Sequence, residues 1–241
     1  MQDTVFFLLG NTTLKVEAER GRVRAYHVNS IGSEARGLLA AHTGARAVAA
    51  SVNPAAEPLL AEICFQSGLS APLFAGRDFP TGVEVSVENP VSVGIDRILN
   101  VRAAFARSGV ACAAVDVGTA TSISVADDRG RFVGGAILPG MAVALKALEE
   151  STALLPAVTL TLPAEPLGRN TAAAMLSGCV FGTLGAVKEI ISRINAELGR
   201  ELKVFLTGGD AELLSAIAPA GWTAVPNLTF EGLRLAYDES R

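Results

Sequence analysis

Apolar positions along this chain fall in short runs closed by glycine turns, interleaved with longer stretches at helical spacing. The run Val5 to Leu9 ends in Gly10-Asn11-Thr12, and an alternating run and a second turn, Arg20-Gly21-Arg22, follow it. Such spacing predicts a strand, a tight turn and a second strand. The pattern returns at Ala114-Val115-Asp116-Val117-Gly118-Thr119-Ala120-Thr121-Ser122-Ile123-Ser124, which aligns with Phe6 to Val16 at an offset of 108 residues. Asp128-Arg129-Gly130-Arg131 closes that copy. A unit used twice predicts two similar α/β lobes, residues 1–109 and 110–241, meeting at a tight hinge near Ser108 to Ala111. A cleft between two such lobes is a natural place for a ligand.

Between these hairpins the pattern predicts helices over Ser33 to His42, Pro58 to Ser67, Asp96 to Ala106, Pro139 to Glu150 and Thr171 to Leu198. It predicts buried strands at Ala47 to Val52 and Lys203 to Leu206, the latter running into Thr207-Gly208-Gly209-Asp210.

Composition narrows the classes. The 241 residues are 50% hydrophobic and 18% charged, with mean hydropathy +0.39 and net charge −4, which excludes disorder and leaves no basic footprint for nucleic acid. No unbroken apolar run approaches the roughly 18 residues of a membrane span, and no basic region precedes Val5, so the expectation is a soluble, cytoplasmic protein with no membrane partner. Cys64, Cys112 and Cys179 are odd in number and embedded in apolar sequence, which predicts buried reduced thiols. His27 and His42 stand apart without a ligand cluster and read as surface or strand-end residues.

The chemistry lies in the turns. A strand ending in Asp-x-Gly-Thr can bring backbone N–H groups and hydroxyls to a phosphate while the Asp holds a cation. Gly10-Asn11-Thr12 and Gly118-Thr119-Ala120 also occur in ordinary hairpins, but facing copies could clamp one phosphate chain. Thr207-Gly208-Gly209-Asp210 reads either as a plain βα connection or as N–H groups aimed at a ligand. Asp96-Arg97 reads either as a helix cap with an exposed ion pair, or as a proton acceptor beside a guanidinium that forks onto a carboxylate.

Taken in order, Leu9-Gly10-Asn11-Thr12, Gly94-Ile95-Asp96-Arg97, Asp116-Val117-Gly118-Thr119-Ala120-Thr121, Gly134-Gly135-Ala136-Ile137-Leu138-Pro139-Gly140, Thr152-Ala153-Leu154-Leu155-Pro156, Gly168-Arg169-Asn170-Thr171 and Thr207-Gly208-Gly209-Asp210 resemble the motifs of type III pantothenate kinases. The resemblance spans almost the whole chain. It implies a duplicated actin-like fold of the ribonuclease H-like ASKHA superfamily, a homodimer, and transfer of the γ-phosphoryl group of ATP to pantothenate, the first step of coenzyme A biosynthesis. Carried over, Leu8, Leu9, Gly10, Asn11, Thr12, Thr13, Leu14 and Lys15 form the first phosphate loop and Thr119 contacts ATP. Asp116 holds a monovalent cation, K+ or NH4+, and Mg2+ accompanies ATP. Gly94, Ile95, Asp96 and Arg97 bind pantothenate with Asp96 as proton acceptor, and Thr171 also contacts pantothenate.

The chain departs from that pattern at three places. Leu8 occupies the position of the family's first-loop Asp, Ser124 that of a second Asp, and Val87 and Glu88 replace an aromatic ahead of Asn89-Pro90. Asp3 or Glu17 is then the neighbouring carboxylate that could substitute. A second reading follows from Leu8: a catalytically impaired homologue that binds nucleotide or pantothenate and acts as a regulator. A sugar or acetate kinase on the same fold is a third, for which the chain is short.

Overall fold

The computed structural model of the protein describes residues 3–28, 35 and 37–241. Its contacts divide the chain into one unit of Met1–Ala103 with Asn227–Arg241 and a second of Ala104–Pro226. The expected helix over Ser33 to His42 lies partly outside the described residues; Ala40–His42 is a 3-10 turn.

The first unit contains strands β1 (Thr4–Leu9), β2 (Thr13–Glu19), β3 (Arg22–His27), β4 (Arg46–Ser51) and β5 (Leu73–Phe74), in spatial order β3-β2-β1-β4-β5. Strands β1, β2 and β3 are antiparallel neighbours, while β4 runs parallel to β1 and β5 to β4. Alternation sorts β1 onto two cores. Val5, Phe7 and Leu9 pack with Leu14, Val16 and Leu60 of helix α1 (Glu57–Gln66), and Phe6 and Leu8 turn to the opposite face. There they meet Val48, Ala50 and the apolar side of the C-terminal helix α6 (Leu228–Glu239). Helix α2 (Ile95–Ser108) lies against α6, where Thr229 Oγ1 donates to the buried Asn100 Oδ1 at 2.8 Å and a side chain at Gly232 would overlap Leu99 O.

The second unit repeats this sheet position for position: β6 (Cys112–Val117), β7 (Ala120–Ala126), β8 (Phe132–Pro139), β9 (Lys203–Thr207) and β10 (Thr223–Ala224), in order β8-β7-β6-β9-β10. Helices α3 (Met141–Ser151) and α4 (Thr171–Leu198) fall between β8 and β9, and the short α5 (Ala211–Ser215) between β9 and β10. Asn170 caps α4 through Oδ1, which accepts from Ala173 N at 2.8 Å, and Gly199 ends it in the left-handed region at φ +66°.

Two expectations change. The division falls inside α2 rather than at Ser108 to Ala111, and residues 227–241 pack with the first unit, because α6 buries Leu233, Ala236 and Tyr237 on the β1–β4 face. Helix α4 is long and apolar enough to cross a membrane by length and composition, with a window of mean hydropathy 1.4 that is 28% buried. No unbroken apolar run signals this, since Gly, Ser and Thr interrupt the larger side chains; the core helix of a soluble protein has the same composition.

Candidate functional site

In the first unit, β1 ends at Leu9 and the chain turns through Gly10, Asn11 and Thr12 into Thr13 and Leu14. Gly10 N donates to Thr13 O at 2.9 Å, Val52 N donates to Leu9 O at 3.0 Å, and Asn53 Nδ2 donates to Gly10 O at 3.3 Å. The turn is thus tied to the end of the adjacent parallel strand β4. No motif singled out Asn53, which makes this tie; its signal was only its place after a buried strand.

The segment Gly94 to Arg97 sits at the same end of this sheet, because a Cβ on Gly94 would lie 3.7 Å from Val52 Cγ1. The same Cβ would lie 2.5 Å from Asp96 Oδ1, so glycine is what lets the Asp96 carboxylate fold back over the start of α2. Asp96 Oδ1 accepts from Arg97 N at 2.9 Å. Burial pushes the Arg97 guanidinium below its ordinary value, and the Asp96 charge partly restores it. Ile95 is half-buried against the Leu8 cluster, so the segment is anchored by packing. An acid and a guanidinium side by side at a helix start can receive a hydroxyl proton and hold a carboxylate.

In the second unit, β6 ends at Asp116-Val117 and turns through Gly118 and Thr119. Asp116 stands directly opposite Ser122 on β7 and opposite Thr207 on β9, so three oxygen-bearing side chains share one face across three strands. Gly208, at φ +102°, packs where a Cβ would meet Asp116 Oδ1 at 2.5 Å, and Asp210 N donates to Val117 O at 3.0 Å. Gly140 N donates to Thr119 O at 3.1 Å, and a side chain there would overlap the Gly118 carbonyl. Two glycines from distant motifs therefore close on the turn. Oxygen donors alone, one of them a carboxylate, suit a hard cation. Among the described residues there is no cluster of three or more His, Cys, Asp or Glu that could hold a metal.

Thr171, the first residue of α4, lines a groove of about 860 Å³ between α3, α4 and the end of β8. Ala174, Gly178, Gly182 and Ala186 form its floor at every fourth position, with Met175, Cys179, Leu148 and Leu155 around them. Gly178 and Gly182 have open space above them.

The chain as a whole matches a known family. The model of the type III pantothenate kinase family matches residues 5–193. A type III pantothenate kinase of Dehalococcoides mccartyi strain 195 is 39% identical over 192 residues, covering 80% of this chain and 74% of that one. Another, from strain BAV1, is 34% identical over 249 residues, covering 97% of this chain and 94% of the relative.

The chain belongs to the type III pantothenate kinase family.

Its fold is the duplicated actin-like one: the archaeal actin homolog Ta0583 covers 99% of this chain and 100% of its own at a TM-score of 0.53 and 12% identity. Against this family's loop, the fate of the carboxylates around Leu8 is clear. Leu8 is packed among Val48, Ala50, Ile95 and Leu233. Asp3, at the far end of β1, pairs with His42 Nδ1 at 2.7 Å, and Glu17 is 2% exposed, accepting from Gly21 N at 2.8 Å and bound to Arg234. Neither of these carboxylates supplies the turn. His42 is thus a hydrogen-bond partner of Asp3, and His27 ends β3.

Proposed function

We propose that this chain phosphorylates pantothenate with ATP. The observation that supports it most is the Gly94–Arg97 geometry: a carboxylate held over a helix start by its own backbone, beside a half-buried guanidinium, at the same sheet end as the Gly10 turn. The hydroxyl oxygen of pantothenate attacks the γ-phosphorus, the bond from that phosphorus to the β–γ bridging oxygen breaks, ADP leaves, and the hydroxyl proton passes to Asp96. Arg97 takes the pantothenate carboxylate bidentately. Leu8 to Lys15 and Thr119 lie along the phosphates of ATP.

Asp116, with Ser122 and Thr207 on its face, is the site we assign to K+ or NH4+; a cation bound there neutralises phosphate charge. Mg2+ enters with ATP, held mostly by phosphates and water. We further propose a cytoplasmic homodimer formed through α4. The small residues at every fourth position of a 28-residue helix let the same helix of a second copy approach closely, and the groove beside them is apolar. Thr171 would then meet pantothenate at the rim of that interface.

A coupled ADP-release assay with ATP, Mg2+ and pantothenate, run in K+ or NH4+ and then in Na+ alone, tests the reading. Expected is pantothenate-dependent turnover that needs the larger cations and falls about 100-fold or more in Asp96→Asn, from the lower end of the range for loss of a general base upward. Saturable ATP binding without turnover under any cation would instead favour a nucleotide-binding regulator.

A further inference from the structure

Asp96 rides on the first turn of α2, so the place of its carboxylate depends on where that helix is fixed. Asn100 lies four residues on, one helical turn below Asp96 on the same face. Asn100 and Thr229, the second residue of α6, are both buried, and Thr229 Oγ1 donates to Asn100 Oδ1 at 2.8 Å across 129 residues of sequence. Beside this bond the two helix backbones touch, since a side chain at Gly232 would overlap Leu99 O. Gly232 stands three residues after Thr229, so a hydrogen bond and a steric stop lie side by side on one face of α6. Farther along, Arg102 Nη1 donates to Gly82 O at 3.1 Å and the guanidinium pairs with Glu239, but Glu239 is exposed and such a pair holds a helix loosely.

Two apolar side chains would fill this contact without desolvating a hydroxyl and an amide. Packed aliphatic side chains, however, tolerate a slide along the helix axis or a small rotation. A buried hydrogen bond does not, because it is lost unless donor and acceptor stay aligned. The tie therefore fixes the register of α2 on α6, and α6 is itself anchored to the β1–β4 face through Leu233, Ala236 and Tyr237. Gly94 sets the carboxylate on the helix, and Thr229 sets the helix on the sheet.

We infer that Thr229, acting through Asn100, is a positioning residue for Asp96: it holds the first turn of α2 at the height where the carboxylate meets the substrate hydroxyl. This deepens the kinase reading and rests on it for the role of Asp96. The register of the helix can be read without turnover.

The test compares the wild type with Thr229→Val, Thr229→Ser, Asp96→Asn and the Thr229→Val/Asp96→Asn double variant. Thr229→Val keeps the shape of the side chain and removes the donor. Expected is a kcat lowered about tenfold, part of the roughly 100-fold that a displacement of about 1 Å costs, with the KM for ATP within about twofold of wild type. Thr229→Ser restores the hydroxyl and should recover turnover to within about threefold of wild type. In the Asp96→Asn background Thr229→Val should lower the residual turnover by less than about twofold, since the carboxylate it positions is gone. A loss of about tenfold there too would make Thr229 a stability residue only and overturn the proposal. Should Thr229→Val not fold, Thr229→Cys, a weaker donor of similar size, carries the same comparison. Amide exchange without substrate is the second readout. Arg97 N donates to Gly94 O at 3.0 Å and to Asp96 Oδ1 at 2.9 Å. It should exchange about tenfold faster in Thr229→Val while β1 and β4 keep their protection. Unchanged exchange at Arg97, or an unchanged kcat, would overturn the inference. A wild type that leaves pantothenate unphosphorylated would sink the kinase reading alone, and the exchange at Arg97 would still decide whether Thr229 holds the first turn.

Discussion

At the scale of the residue, the most demanding position is Gly94. Its lack of a side chain admits the Asp96 carboxylate at a distance no Cβ tolerates, so Gly94→Ala moves the proposed proton acceptor while leaving the core of the unit untouched. The expected result is a fall in kcat of about 100-fold, as for a displaced catalytic group, with a melting midpoint within a few degrees of wild type. An unchanged kcat would show that Asp96 does not act from this position. The sequence revealed the Gly-Ile-Asp-Arg motif but not this reason for its glycine, because contact between a backbone and its own neighbour's carboxylate has no signature in residue types. It revealed the three buried thiols more fully, since burial of a small apolar residue is what flanking apolar sequence encodes. Burial pushes Cys64 up to about 12 and Cys112 up to about 11, and raises Cys179 in the groove. A thiol reagent added to the native protein near neutral pH should therefore label these cysteines slowly, and rapid labelling without denaturant would contradict that packing.

At the scale of the element, the repeat was legible because each hairpin is a local object: alternation, a turn and alternation again. The one-residue difference between the two turns was not. An ungapped offset of 108 pairs Lys15 with Ile123, whereas the strand registers make it equivalent to Ser122, so the true correspondence of the second strands emerges only from backbone pairing. The turn after β7 offers a stability test. Burial alone would raise the Asp127 carboxyl, but the side chain and backbone of Arg131 and the Arg129 backbone donate to it and hold it below the usual carboxylate range. A depressed folded value means that unfolding takes up a proton. The stabilisation is complete above the ordinary Asp range near about 4 and disappears as pH falls through the folded value. Asp127→Asn should lower the melting midpoint at neutral pH and make it less dependent on acid below about pH 4. Parallel acid curves for the two proteins would deny Asp127 this role.

At the scale of the whole molecule, the sequence yielded a duplicated α/β chain but assigned its C-terminus to the nearer lobe, because the partners of α6 lie some two hundred residues earlier, at β1 and β4. Sequence proximity is a poor guide where a returning helix completes a core. The same limit hid the surface of α4. Its apolar residues look like core by composition, yet Ala174, Gly178 and Gly182 are exposed and line the groove that ends at Thr171. If a second copy covers this face, a charge on the stripe must separate the copies, since an unpaired carboxylate cannot be desolvated there without large cost. Gly182→Glu is therefore expected to halve the mass measured by sedimentation at micromolar protein. Because Thr171 lies on the rim of the same groove, it should also raise the KM for pantothenate more than that for ATP. A monomeric wild type, or a Gly182→Glu protein of unchanged mass, would exclude α4 as the interface, and a dimer lost without any shift in the pantothenate KM would place the substrate away from it.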